Sequence, residues 1–310
     1  MDKKLLVFLI IVFMVIVLVG FAWLASIFFG SGEGFRSSGN FFSFGQSIAV
    51  IPIKGEIVSE PSSFSPYLSS QEIIDSIDAA ENDPSISAIL LDIDSPGGAI
   101  VPTKQVVAKL RETKKPKVAW IADIGTSGAY YIASASDFIM ADEDSITGSI
   151  GVISIAPDIN GLMEKLGVKV KILKEGKYKA LGNPFQELSA EEEQIIQEIL
   201  NDAFSHFKRD VLKFRAGKIS QEKFESVADG RILSGSQAKK AGLIDALGTR
   251  DKAILKAGEL AGIKGEPAIK EYSKTQFSFS DLFSQAGYSF GSGFITAFRS
   301  TNLQPSVQAK

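Results

Sequence analysis

Ser127 stands in Gly125-Thr126-Ser127-Gly128-Ala129-Tyr130-Tyr131, in a chain with one histidine and no cysteine. A serine flanked by small residues at a strand-to-helix turn is a position for an exposed nucleophile, and it needs a base to take its proton. His206 is the single imidazole, and it falls in a charged helical stretch where a surface role fits better than a catalytic one. If Ser127 attacks, a lysine is the base that remains, and a Ser–Lys pair narrows the chemistry to a few hydrolase classes. Taken alone, the same serine also reads as a helix N-cap.

Two further segments could complete such a site. Asp94-Ser95-Pro96-Gly97-Gly98 closes an apolar run, and a Gly-Gly turn leaves backbone N–H groups free to hold a developing oxyanion. Pro-Gly-Gly is also simply a turn. Downstream, Gly176-Lys177-Tyr178-Lys179-Ala180-Leu181-Gly182-Asn183-Pro184-Phe185 offers two lysines. A lysine accepts a proton only when neutral, so an ordinary ammonium pKa of about 10.4 must fall by several units. Burial among Tyr178, Leu181 and Phe185 would do that, whereas a solvated basic loop would not.

The elements that must carry these segments alternate. Residues 48–53, 86–93, 117–122, 138–141 and 168–173 read as strands, and 71–81, 103–111 and 128–135 as helices. Strands alternating with helices predict parallel pairing with right-handed crossovers, an α/β fold. Residues 191–215 predict a long amphipathic helix with Ile195, Ile196, Ile199, Leu200, Ala203 and Phe207 as its apolar stripe, His206 beside it.

Composition removes other chemistries. With no cysteine, disulfides, thiol catalysis and cysteine-ligated metals are excluded, and one histidine argues against catalytic zinc. A net charge of −3 gives no electrostatic reason to expect nucleic acid as a partner. No metal or organic cofactor is implied.

The amino terminus has its own character. Asp2-Lys3-Lys4 precedes an uncharged apolar run over residues 5–29, long enough to cross a hydrocarbon core of roughly 30 Å. Ala25-Ser26-Ile27-Phe28-Phe29 is a poor cleavage site, so the run reads as a retained anchor rather than a removable signal peptide. Lys3 and Lys4 place the amino terminus in the cytoplasm and the rest of the chain outside. This divides the chain into a stub and transmembrane anchor (1–29), a Gly/Ser/Phe linker (30–46), the main domain (47–272) and a Phe/Ser/Gly-rich tail (273–310). The tail reads either as mobile or as an apolar segment that docks on a neighbouring copy or a membrane surface.

The order of the motifs carries more than any one of them. Asp94-Ser-Pro-Gly-Gly98, then Gly125-Thr-Ser127-Gly-Ala-Tyr-Tyr131, Thr147-Gly-Ser149-Ile-Gly151, Gly176-Lys-Tyr-Lys179, Ala228-Asp-Gly-Arg231 and Gln237-Ala-Lys-Lys-Ala-Gly-Leu-Ile-Asp245 resemble the SppA-type signal peptide peptidases in their short, single-copy form. The likeness covers residues 47–263. It implies a crotonase/ClpP-like α/β fold with a parallel sheet and flanking helices, preceded by one transmembrane helix. It also implies a membrane-anchored serine endopeptidase that hydrolyses remnant signal peptides and related apolar or unfolded peptides. By motif match Ser127 is the nucleophile, Lys179 the general base in preference to Lys177, and Ser149 the residue that orients the base. The backbone N–H groups of Gly98 and Gly128 form the oxyanion hole. Family members assemble into rings or domes with shared clefts, so a homo-oligomer is expected. Two alternatives are a crotonase-like acyl-CoA enzyme, which predicts acidic catalytic residues and CoA binding, and a stomatin-directed membrane protease, which predicts further membrane spans.

Overall fold

Period-two alternation makes the first strand, β1 (Ser47–Lys54), two-faced, with Ala49, Ile51 and Ile53 in one apolar layer and Ile48 and Val50 in the other. The computed structural model describes residues 47–60 and 68–272. After β1 come β2 (Ile57–Val58), β3 (Leu68–Ser69), helix α1 (Ser70–Asn82), β4 (Ile86–Ser95), α2 (Ile100–Glu112), β5 (Lys117–Thr126), α3 (Gly128–Ser134), β6 (Phe138–Ala141) and β7 (Ile146–Gly148). The remainder is α4 (Asn160–Lys165), α5 (Ala190–Phe214), α6 (Gln221–Glu225), β8 (Ile232–Ser234), α7 (Gly235–Ala241), β9 (Ala246–Leu247), α8 (Arg250–Leu260) and β10 (Ala268–Glu271).

The sheet runs β10-β1-β4-β5-β6-β9 with every adjacent pair parallel, so the α/β class expected from the alternating pattern is the one observed. β4 lies near its centre and is buried along nearly its whole length, which is why its middle, Ala88–Leu91, is an unbroken apolar run rather than an alternating one. Helices α1, α2 and α3 pack Ile73, Ile77, Val106, Leu110 and Ile132 on one face. Helix α8 covers the other with Ala253, Ile254 and Ala257.

One feature of the topology builds the site. β5 changes partner along its length: Val118–Ile121 pair with β6, whereas Ile124, Gly125 and Thr126 pair with β7. β7 in turn takes β8 as an antiparallel neighbour. The carboxyl ends of β4, β5 and β7 therefore converge, and that end of a parallel sheet is where loops gather into binding sites.

Two expectations differ from the structure. Residues 168–173 form no strand, and Val168, Val170 and Leu173 are exposed. Their alternation with lysine suits a pleated surface, but a strand needs a ladder partner and this chain offers none there. The long helix forms as α5, started by a capping box in which Ser189 and Glu192 exchange hydrogen bonds. Its stripe is buried only at Phe207, with Val211 beyond it; Ile195, Ile196, Leu200 and Ala203 are half-buried and Ile199 is 62% exposed. The helix is anchored just past its carboxyl end, where buried Arg215 makes a two-pronged ion pair with Asp245 at 2.9 and 3.0 Å.

Among the described residues no helix is long and apolar enough to cross a membrane. The expected anchor, linker and tail all lie outside the described residues.

Candidate active site

β5 ends at Thr126 and α3 begins at Gly128, leaving Ser127 between them with φ 53° and ψ −121°. A non-glycine residue at positive φ costs on the order of 1–3 kcal/mol and persists only where its surroundings over-determine it. Here they do. The Ser127 N–H donates to the Gly148 carbonyl of β7 at 2.9 Å, and the Ser127 carbonyl accepts from the Tyr131 N–H at 2.9 Å. The expected N-cap role is absent, because the Ser127 side chain makes no capping hydrogen bond.

The turn after β4 is stitched in place from several directions. Ile57 N–H donates to Gly97 O at 2.8 Å and Ala99 N–H to Ile57 O at 2.9 Å. Ser95 Oγ donates to Gly55 O at 2.6 Å and accepts from Gly97 N–H at 3.1 Å. Close approach dictates glycine at both turn positions. A Cβ at Gly97 would sit 2.6 Å from Gly128 N, and one at Gly98 would sit 2.1 Å from Ile57 O. The two turns are tied directly by Thr126, whose hydroxyl donates to the Pro96 carbonyl at 3.1 Å. Gly98 N lies 3.3 Å from where a Gly128 Cβ would be, so the two residues' backbones are close neighbours beside Ser127. Gly128 opens α3, so its N–H has no intrahelical acceptor, and the Gly98 N–H takes no part in the bridge to Ile57.

Ser149 follows β7, also at positive φ (51°), with its N–H donating to Arg231 O at 2.8 Å. Arg231 pairs with Asp229, and its guanidinium holds the Asp229 carboxyl at about 2. Ser127, Ser149, Gly98 and Gly128 all line one cleft of about 920 Å³. Apolar side chains supply much of its wall: Ile100 from α2, Tyr131 from α3, Val152, and Leu200, Phe204 and Phe207 from α5. His206 is exposed, as expected, and also reaches this cleft.

Lys179 is not brought to the cleft by its own chain. It lies exposed in a turn over residues 176–182, and the burial expected from Tyr178, Leu181 and Phe185 is absent there. Lys177 is paired with Glu191 at 2.6 Å, and that carboxylate, with Tyr178, holds its ammonium above the usual lysine range, the opposite of what a base needs. Among the described residues no group of three or more His, Asp or Glu side chains is gathered as metal ligands. The sequence reading missed Tyr131 as a cleft residue, although its position four residues after Ser127 puts it one helical turn on.

The model of peptidase family S49 matches residues 109–264. A protein of Methanocaldococcus jannaschii, named provisionally as a protease, is 32% identical over 299 residues and matches 94% of both chains. The chain belongs to peptidase family S49. An Enterococcus faecium protein, named provisionally as the signal peptide peptidase SppA, is 32% identical over 74% of this chain and 67% of its own. The chloroplast serine protease SPPA of Arabidopsis thaliana is 31% identical over 78% of this chain and 37% of its own. The S49 peptidase described here is thus SppA-type, and its cleft is built where a parallel sheet presents three strand ends.

Proposed function

We propose that this S49 peptidase is a membrane-anchored serine endopeptidase, with Ser127 as nucleophile and Lys179 of a neighbouring copy as general base. The observation that carries the serine is its forced backbone, set beside the amides of Gly98 and Gly128 at the mouth of an apolar cleft. In the reaction, Ser127 Oγ attacks the scissile carbonyl carbon while neutral Lys179 takes the hydroxyl proton. The two amides hold the oxyanion. Collapse breaks the C–N bond, and the lysine returns the proton to the leaving amine. Water then attacks the ester, again through the lysine, and frees the acid and Ser127. Ser149, on the cleft wall, orients the neutral amine of the incoming lysine.

A shared site is favoured by where Lys179 lies. The segment from 153 to 189 buries almost nothing within its own chain, while Ile153, Ile155, Leu162, Leu166 and Leu173 stand more than half exposed. An apolar arm carrying the base is suited to packing on a second copy. The cleft's apolar wall favours signal-peptide cores and similar peptides as substrates. The parallel sheet with its site at the strand ends is compatible with the crotonase/ClpP-like arrangement, and Lys3 and Lys4 before the apolar run favour an extracytoplasmic domain.

Complementation tests this. Ser127→Ala and Lys179→Ala should each be inactive on an apolar fluorogenic peptide, and co-assembly of the two should restore activity to about a quarter of wild type by random mixing. Activity in Lys179→Ala alone rejects the assigned base. Two dead variants that stay dead when co-assembled reject the shared site.

A further inference from the structure

We propose that Tyr131 sets which substrate side chain the cleft accepts, with Asp210 of α5 as its positioning residue. The inference rests on Ser127 as the nucleophile, because it places the selective wall one helical turn away. Neighbouring tyrosines have divided their work. Tyr130 is wholly buried and donates to Leu243 O at 2.8 Å, a core role. Tyr131 is also largely buried, at 5% exposure, but it lines the cleft, and its N–H donates to Ser127 O at 2.9 Å.

Two sets of contacts fix that ring. Its centroid is 4.8 Å from that of Phe207, tilted by 33°, and 6.4 Å from that of Phe214. Its hydroxyl donates to Asp210 Oδ2, while Arg209 holds the other carboxylate oxygen at 2.9 Å. Burial, and then Asp210, push the phenol's pKa up, so it stays a neutral donor.

The position of this wall matters because α5 is otherwise lightly held over the cleft. Apart from Glu192 of the capping box, its amino-terminal half is half-buried or exposed, and apolar packing begins at Phe207. The Tyr131–Asp210 bond therefore joins the nucleophile's helix to the helix whose Leu200, Phe204 and Phe207 line the same cleft. A hydroxyl buried in such a wall without a partner is unfavourable, and Asp210 is the partner. On this proposal the ring closes the apolar space beside Ser127 at that end. Without it, or with it free to swing, a larger side chain fits.

The test uses the full chain and peptides that differ only in the residue before the scissile bond: alanine, leucine or phenylalanine. Tyr131→Ala should raise the phenylalanine-to-leucine ratio of kcat/KM by about tenfold. Tyr131→Phe and Asp210→Ala should each shift it in the same direction by about threefold, and the double variant by no more than either, since both remove one bond. The change should appear more in KM than in kcat. Equal losses on all three peptides, with ratios unchanged, would show a purely structural role and overturn the proposal. Should Tyr131→Ala fail to fold, Tyr131→Phe and Asp210→Ala decide. Affinities for the same peptides, measured in a Ser127→Ala background, give the ratio without turnover. They separate failure of this inference from failure of the nucleophile assignment, which full activity in Ser127→Ala would reveal.

Discussion

At the scale of single residues, the candidate site depends on what is missing as much as on what is present. Gly98 brings its backbone against Ile57 so closely that any side chain must displace the strand beside it. Gly98→Ala should cost on the order of 1–3 kcal/mol in stability, the range for a strained or clashing backbone. It should also remove most turnover by moving the proposed oxyanion donor, a loss of roughly 10²–10³-fold. Denaturant titration alongside kcat separates the two effects. If turnover survives in a folded Gly98→Ala protein, that amide is not part of the oxyanion hole. Thr126 works from the other side, since its hydroxyl joins the Ser127 turn to the Pro96 carbonyl.

At the scale of elements, the sheet's edge has its own fastening. β10 pairs with β1 over four residues, all of them exposed on β10, so its ladder alone is short cover. Asp83, at the carboxyl end of α1, accepts from Lys270 at 2.6 Å and from Tyr272 at 2.7 Å. Lys270, then Ser85 and Tyr272, hold the Asp83 carboxyl far below the usual carboxylate range. A depressed carboxyl stabilises the fold fully above its unfolded pKa of about 3.9, and that stability is lost as pH falls through the lower folded value. The edge strand should therefore loosen only in strong acid. Melting temperature followed downward from about pH 5 should show an acid-dependent loss that is smaller in Asp83→Asn. An identical acid limb in the variant would mean that other carboxylates set it.

At the scale of the whole molecule, residues 153–173 carry a cluster of exposed apolar side chains among the described residues. Scattered exposed leucines need no explanation, but a run including Ile153, Ile155 and Leu173, each more than 80% exposed, points to an assembly face. If this face carries the proposed assembly, Leu173→Asp should give smaller species than wild type in sedimentation, with peptide hydrolysis falling in step. A Leu173→Asp protein that stays assembled and active would separate this surface from both assembly and catalysis.

Much of this was legible in the chain itself. Alternating apolar patterns and the continuous run of β4 determined a parallel α/β sheet, because burial on both faces and helical crossovers leave those marks locally. The motif order likewise placed Gly98 and Ser127 after the strands read at 86–93 and 117–122, and parallel strands deliver their carboxyl ends to one side, whereas β7, which carries Ser149 to the same end, left no strand pattern that was read. Long-range partners were another matter. That Tyr131 meets Asp210, that β5 trades β6 for β7, and that Arg215 finds Asp245 depend on segments far apart in sequence, and no local pattern records such a pairing. The stretch 168–173 carries a strand's alternation without a strand, because alternation reports what a surface could accept, while only the folded chain decides whether a neighbour is there to pair with it.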